Sequence, residues 1–249
     1  MKKYLIPVLV IFFFASVFPV SGNQANEIAN NYSFDTALEL SRILDRQFVF
    51  SFVSASCSHC QEFKDKILSD PAVREILNRH FVLSFVTVDE TFKIELPNYG
   101  EITNMQLASG LGIKGTPTTY IFYPPDPGLL DEGRGITKFA GSPSDPNSMV
   151  NFLEKIATES FKEDGEEEGS SESGSYYNYT PSVKTITRGD LSFLKETSFQ
   201  IPVITEKVEL TSLPDSQELI INTAENSLEE YSEKIVSETG VKKVFLVKS

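Results

Sequence analysis

The stretch Phe48-Val49-Phe50-Ser51-Phe52-Val53-Ser54-Ala55-Ser56-Cys57-Ser58-His59-Cys60 decides how this chain is read. Phe48 to Val53 is a short apolar run of aromatic and β-branched residues, which predicts a buried strand. Three small residues follow. From about Ser58 the apolar spacing becomes helical, with Phe63, Ile67 and Leu68 on one side. Cys57 therefore stands at the mouth of a helix and Cys60 within its first turn. Unpaired backbone N–H groups and the positive end of the helix dipole stabilise an anionic sulfur there. The thiolate is the nucleophile of thiol–disulfide exchange. Cys57 is the expected attacker, and Cys60, more buried, the resolving thiol. His59 lies between them, and its protonated form adds a positive charge that favours the Cys57 thiolate.

The chain has 249 residues and only two cysteines, both in this Cys-x-x-Cys. A cross-link stabilises more as the loop it closes grows, so so small a loop makes a poor staple. A structural disulfide is thus the weaker reading. A metal site is weaker still: Cys57, His59 and Cys60 are crowded for a tetrahedral set, and His80 is the only other histidine. The plain alternative for His59 is a solvent-exposed helix residue. His80, ending a helix before a strand, reads as structural. No metal and no cofactor are expected.

Outward from the motif, Ser33 to Arg46 reads as an amphipathic helix, with Leu38, Ile43 and Leu44 as candidates for its buried stripe. Asp70-Pro71 is a helix start, with Asp as N-cap and Pro in the first turn. Val73, Ile76, Leu77 and Phe81 continue a helical period, and Val82 to Val88 is the next strand. Thr103 to Ser109 reads as a short helix ended by Gly110 and Gly112. Thr116-Pro117 leads into a strand from Thr118 to Tyr123. Pro124, Pro125, Pro127 and Gly128 make a turn. Lys138 to Gly141 reads as a brief edge strand, and Asn147 to Phe161 as a helix.

Residues 162–179 are an acidic Ser/Gly-rich linker that cannot bury apolar area, closed by Tyr176, Tyr177 and Tyr179. Residues 180–249 form a second, small α/β unit. Leu219 to Ile221 is a strand, and Ser227 with Glu230 a capping-box pattern. Leu228, Tyr231 and Ile235 share a helix face, Gly240 caps it, and Val244 to Val247 is a further strand, which together read as βαβ. Its expected role is partner binding or packing on the first domain.

Lys2 and Lys3, the apolar run Tyr4 to Val20 and the small residues Val20-Ser21-Gly22 have the order of an export signal over residues 1–22. The run is almost long enough to span a bilayer, so retention as an N-terminal anchor is the alternative. Either way the body of the protein is expected outside the cytoplasm, in the periplasm or secreted. The formal net charge is −13, and loss of the two lysines with the signal lowers it to −15. So acidic a surface repels phosphate backbones, which argues against nucleic-acid binding.

The order strand Phe48–Val53, Cys57-Ser58-His59-Cys60 opening a helix, and Gly115-Thr116-Pro117-Thr118 before a strand resembles the thioredoxin superfamily. Gly141, after Phe139, resembles the glycine that ends that family's last hairpin. The resemblance covers about residues 33–161 and is closest to exported bacterial thioredoxin-like proteins, including the sulfur-oxidation type. It implies a thioredoxin-like central mixed sheet flanked by helices. It also implies a cis Pro117 against the cysteine pair, and a Thr116 backbone that pairs with an extended substrate segment as an added strand. Typical thioredoxins carry Trp before the first cysteine and Gly-Pro between the two, whereas this chain has Ser56 and Ser58-His59. The family's buried acid falls at Ser51. These departures point away from cytosolic reducing chemistry, and His59 half-matches the Pro-His dipeptide of the superfamily's strongly oxidising bacterial members, a resemblance that implies an oxidant. The end of the chain, Leu219–Asn222 through Val244–Val247, faintly resembles the last part of a rhodanese domain. The loop after its strand lacks that family's cysteine, which excludes sulfur transfer.

The resulting expectation is a thiol–disulfide oxidoreductase with Cys57 as nucleophile, Cys60 resolving, His59 tuning and Thr116 with Pro117 shaping the substrate groove. Its partners would be exported thiol- or disulfide-containing proteins, with a membrane redox partner as a further candidate. The alternative is a non-catalytic thioredoxin-like module that binds a peptide while its disulfide stays closed.

Overall fold

Strand β2 (Gln47–Val53) is buried along its whole length, which is why it reads as a continuous apolar run. It pairs in parallel with β3 (Phe81–Thr87) and antiparallel with β6 (Thr118–Phe122). A short β1 (Asn31–Tyr32) extends the sheet beyond β3, and β7 (Ile136–Ala140) extends it beyond β6, giving the order β1-β3-β2-β6-β7. This computed structural model describes residues 31–89, 91–96, 100–122, 136–158, 182–197, 199, 201–223 and 228–248. The export signal at 1–22, the turn at 124–128, the linker at 162–179 with its tyrosines, and the Ser227 cap lie outside the described residues.

The two-residue period of a strand sorts the core into two layers. Phe48, Phe50, Phe52, Val82, Val86, Tyr120 and Phe122 point to one side of the sheet. Val49, Phe81, Leu83 and Ile121 point to the other. On the first side the Phe50 ring lies 5.2 Å from Phe122, 5.4 Å from Tyr120 and edge-on to Phe34 at 5.2 Å. Helix α1 (Phe34–Leu44) contributes Phe34, Ala37, Leu40, Ile43 and Leu44 to this layer; Leu38 is only half-buried against it. The second side is covered by α3 (Pro71–His80), by α5 (Pro146–Thr158), and by the helix after the cysteine motif.

Asp70 caps α3, its Oδ1 accepting from the Ala72 N–H at 2.9 Å, and Pro71 occupies the first turn, where a missing N–H costs nothing. The helical period that the sequence predicts through Phe81 stops one residue short of it. The helix ends at His80, and Phe81 is extended (φ −129°, ψ 158°) and opens β3. Strand parity brings Phe81 to the same layer as Val73 and Leu77. Between β3 and β6 an unanticipated hairpin, β4 (Lys93–Leu96) and β5 (Gly100–Thr103), buries Ile94 in the first layer. Helix α4 (Asn104–Gly110) follows, with a full capping box of Thr103 and Gln106.

The C-terminal part is a four-stranded, all-parallel sheet. Its order is β8 (Ser182–Thr187), β11 (Lys243–Lys248), β10 (Glu218–Ile221), β9 (Val203–Ile204). Helices α6 (Arg188–Glu196) and α7 (Leu228–Glu238) connect its strands. The β10-α7-β11 unit is the βαβ legible in the sequence; β8, α6 and β9 are additions to it. Leu219, Ile221, Val244 and Leu246 pack with Ile235 of α7. Ile186, Ile220, Phe245 and Val247 face the other way and join the buried layer that holds α1 and the first sheet. Polar contacts close the seam. Lys184 Nζ donates to the Arg42 carbonyl at 2.8 Å and Lys243 Nζ to the Leu44 carbonyl at 3.1 Å, so the second sheet caps the C-terminus of α1. Arg46 Nη2 meets Glu218 Oε2 at 2.6 Å, its guanidinium lies over the Phe199 ring, and it also donates to the Asn78 carbonyl.

Candidate functional site: the Cys57–Cys60 pair

The site lies where parallel strands β2 and β3 end and antiparallel β6 begins, so three loops converge there. The first loop carries Cys57, the N-cap of α2 (Ser58–Glu62), which continues as a π-helical segment over Phe63–Leu68. That segment buries Phe63, Ile67 and Leu68 together. The Cys60 N–H points at Cys57 Sγ from 3.0 Å. In the dithiol this donor would stabilise a Cys57 thiolate, as a capped helix start does for any anion.

Cys57 and Cys60 are joined as a disulfide across a Cα separation of 5.2 Å. Cys57 is half-buried, whereas Cys60 is 2% exposed. One sulfur is therefore within reach of another molecule and the other is held inside. His59 stands outward with its side chain 77% exposed, and its Nδ1 lies 3.8 Å from Glu62 Oε2. The Lys66 ammonium holds the Glu62 carboxyl below its ordinary range, with a smaller contribution from His59.

The second loop carries Gly115-Thr116-Pro117, and the Thr116–Pro117 peptide bond is cis. The Thr116 carbonyl oxygen lies 3.3 Å from Cys57 Sγ. In the disulfide that sulfur has no proton, so the approach is a contact; in the dithiol it becomes an acceptor for the Cys57 thiol. Thr118 Oγ1 donates to the Gly115 carbonyl at 2.7 Å, and the Tyr120 hydroxyl to the Leu111 carbonyl at 2.9 Å, fixing this loop from the strand that follows. Gly141, at φ +87°, donates its N–H to the Pro117 carbonyl at 2.8 Å. A side chain in that left-handed conformation is strained, which suits glycine there.

The third loop follows β3, and from it Asp89 reaches the segment before Cys57. Strand register, invisible in a linear reading, makes that contact. Beside His59 opens a cleft of about 500 Å³, walled by Glu62, Lys66 and Ile67 and by residues 141–146. Hydrogen bonds from Ser148, then from Ser144 and Asn147, hold the Asp145 carboxyl there at about 2. Among the described residues no group of three or more metal-ligating side chains comes together, and no helix is long and apolar enough to cross a membrane. Cys57, Cys60 and Thr116 are brought together; His59 is one helix step away on the solvent side. At Ser51 the side chain is fully buried, its Oγ 2.6 Å from Thr119 Oγ1, a neutral pair inside the sheet.

A mixed sheet with a Cys-x-x-Cys at a helix start, facing a cis-proline loop, defines a thioredoxin-fold disulfide domain. Residues 34–140 match the thioredoxin-like domain family. No curated protein matches the chain. Among solved structures, the thioredoxin of Thermus thermophilus is 23% identical, over 52% of this chain and 88% of that one, with a TM-score of 0.39. The DsbH oxidoreductase is 18% identical, over 53% and 86%, with a TM-score of 0.39. A thioredoxin-fold protein from Helicobacter pylori is 16% identical, over 70% and 92%, with a TM-score of 0.37.

Proposed function

We propose that this protein is a thiol–disulfide oxidoreductase that works outside the cytoplasm on thiol- or disulfide-containing polypeptides. The observation that carries this reading is the asymmetry of the pair: Cys57 half-buried at a helix start beside Thr116, Cys60 enclosed behind it. From the disulfide form, a substrate thiolate attacks Cys57 Sγ. The Cys57–Cys60 bond breaks, and Cys60 leaves with the electron pair and takes up a proton. A second substrate thiolate then attacks the substrate sulfur of the mixed disulfide and releases Cys57 as a thiolate. The substrate has gained a disulfide and lost two electrons, which the Cys57–Cys60 pair has gained. Run backwards, the same steps reduce a substrate.

In this reading Thr116 and Pro117 shape the groove in which the substrate segment lies, with the Thr116 backbone offered as a strand partner. His59 sits one residue from the partner sulfur, and its protonated form supports the anion. The neutral Ser51–Thr119 pair leaves no buried carboxylate at that position to assist Cys60. The helix-start environment of Cys57 favours the reduced form, and a couple whose reduced form is favoured is the better oxidant. The placement outside the cytoplasm, and exported proteins and a membrane redox protein as partners, rest on the N-terminal sequence. The test is oxidation of a reduced protein substrate and reduction of insulin, each with the wild type and with Cys57→Ser. The reading predicts turnover in at least one direction, lost in the variant; wild-type protein inert in both directions would sink it.

A further inference from the structure

Between Val53 and Cys57 the chain is Ser54-Ala55-Ser56, with Ser54 half-buried and the other two exposed. No large apolar side chain anchors this segment, yet it sets where Cys57 begins its helix. The β2–β3 pairing supplies the anchor. Val53 is the register partner of Thr87, and the Val88 N–H donates to the Val53 carbonyl at 2.9 Å. The next residue, Asp89, is thereby brought alongside Ser54. Its Oδ2 accepts from Ser54 Oγ at 2.7 Å and from the Ala55 N–H at 2.5 Å. Ser54 Oγ also lies 3.1 Å from Ser56 Oγ, and the Ser54 carbonyl accepts from the Cys57 N–H at 3.2 Å. From the carboxylate to the backbone of Cys57 the path is two hydrogen bonds long.

We propose that Asp89 is the positioning residue for Cys57: one carboxylate oxygen holds Ser54 and Ala55 so that Cys57 enters the helix with its sulfur on the Cys60 N–H. This rests on the reading of Cys57 as the reactive sulfur. Asp89 does not touch the reacting atoms and acts through the loop. Its charge and its position have opposite effects. A nearby carboxylate by itself disfavours a thiolate, whereas a well-placed helix start favours one. Both donors converge on a single oxygen, so an amide oxygen at that place keeps both bonds. Asp89→Asn therefore removes the charge and keeps the position, and Asp89→Ala removes both. The other groups near the sulfur, namely the Cys60 N–H, the Thr116 carbonyl, and His59 with Glu62 one turn on, stay the same in both variants.

The experiment is the pH profile of Cys57 alkylation by iodoacetamide in the reduced full-length protein, with the site identified by mass spectrometry. It is paired with the rate of exchange with a small aromatic disulfide. In Asp89→Ala the alkylation midpoint is expected to rise by about one unit and the exchange rate to fall about tenfold, the scale of one lost thiolate-stabilising contact. Asp89→Asn is expected to stay within about twofold of wild type in rate, with a midpoint unchanged or lower. Ser54→Ala, which removes one of the two bonds, is expected to give a smaller rise, and it keeps the proposal testable should Asp89→Ala fold poorly. A midpoint unchanged or lowered in Asp89→Ala, or a loss in Asp89→Asn as large as in Asp89→Ala, would overturn the proposal. The functional reading fails differently: wild-type Cys57 itself would titrate as a free thiol and exchange with no protein, while the comparison among variants stays readable.

Discussion

Cys57 and Cys60 are three positions apart and differ in burial, and in the proposed mechanism that difference divides the chemistry between them. Which cysteine opens the helix was legible, because a strand followed by small residues and a helical period leaves little choice. The role of Asp89 was not, since it depends on which residue of β3 lies beside Val53. His80 is a second case at this scale. It is buried at the end of α3, and burial, helped by the positive charges of Arg79 and Arg46, lowers its pKa to about 4. An unfolded histidine titrates near 6.5, so between these values the unfolded chain holds the extra proton. Stability contributed by neutral His80 is present above about pH 6.5 and is lost as the pH falls through about 4. Denaturant unfolding is expected to show a loss of order 1–3 kcal/mol over that window, much reduced in His80→Gln. Equal pH dependence in the two proteins would remove His80 from the account.

At the scale of elements, β2 explains why the first sheet was readable. Its alternate phenylalanines feed one layer, and the aromatic contacts of Phe50 with Phe34, Tyr120 and Phe122 fill it. Phe50→Ala is expected to cost about 3–5 kcal/mol in equilibrium unfolding, the range for a large buried aromatic; a loss under about 1 kcal/mol would mean that the layer repacks freely. The turn from α-helical to π-helical geometry at Phe63 was hidden, because Phe63, Ile67 and Leu68 satisfy either period. The β4–β5 hairpin was hidden too, since only Ile94 among its described side chains is buried. At the seam, Arg46 is held by Glu218, the Phe199 ring and the Asn78 carbonyl. Removing one partner of a largely buried ion pair leaves the other unpaired, so Arg46→Ala is expected to destabilise by about 3 kcal/mol. Thermal unfolding at fixed pH measures it.

For the whole molecule, the informative feature is that one buried layer joins the two sheets. The βαβ of the C-terminal part could be read from Leu219–Ile221 and Val244–Val247, but its docking on α1 could not. That docking uses Ile186, Ile220, Phe245 and Val247, which in sequence look like ordinary strand residues facing a private core. Because their cover is α1, the two sheets share apolar area that neither buries alone, and lysines 184 and 243 cap α1 from the second sheet. Calorimetry is therefore expected to show a single cooperative unfolding transition, with calorimetric and van't Hoff enthalpies in agreement. Two separated transitions would mean that the sheets are energetically independent.

The proposed division of labour sends Cys57 to the substrate and leaves Cys60 to resolve it. It is tested most directly by incubating reduced Cys60→Ser protein with a disulfide-bonded polypeptide and identifying the trapped adduct by mass spectrometry. A stable mixed disulfide on Cys57 is expected, and none when the same incubation is made with Cys57→Ser. A Cys60 adduct in the Cys57→Ser protein, with Cys57 left unmodified in Cys60→Ser, would contradict it.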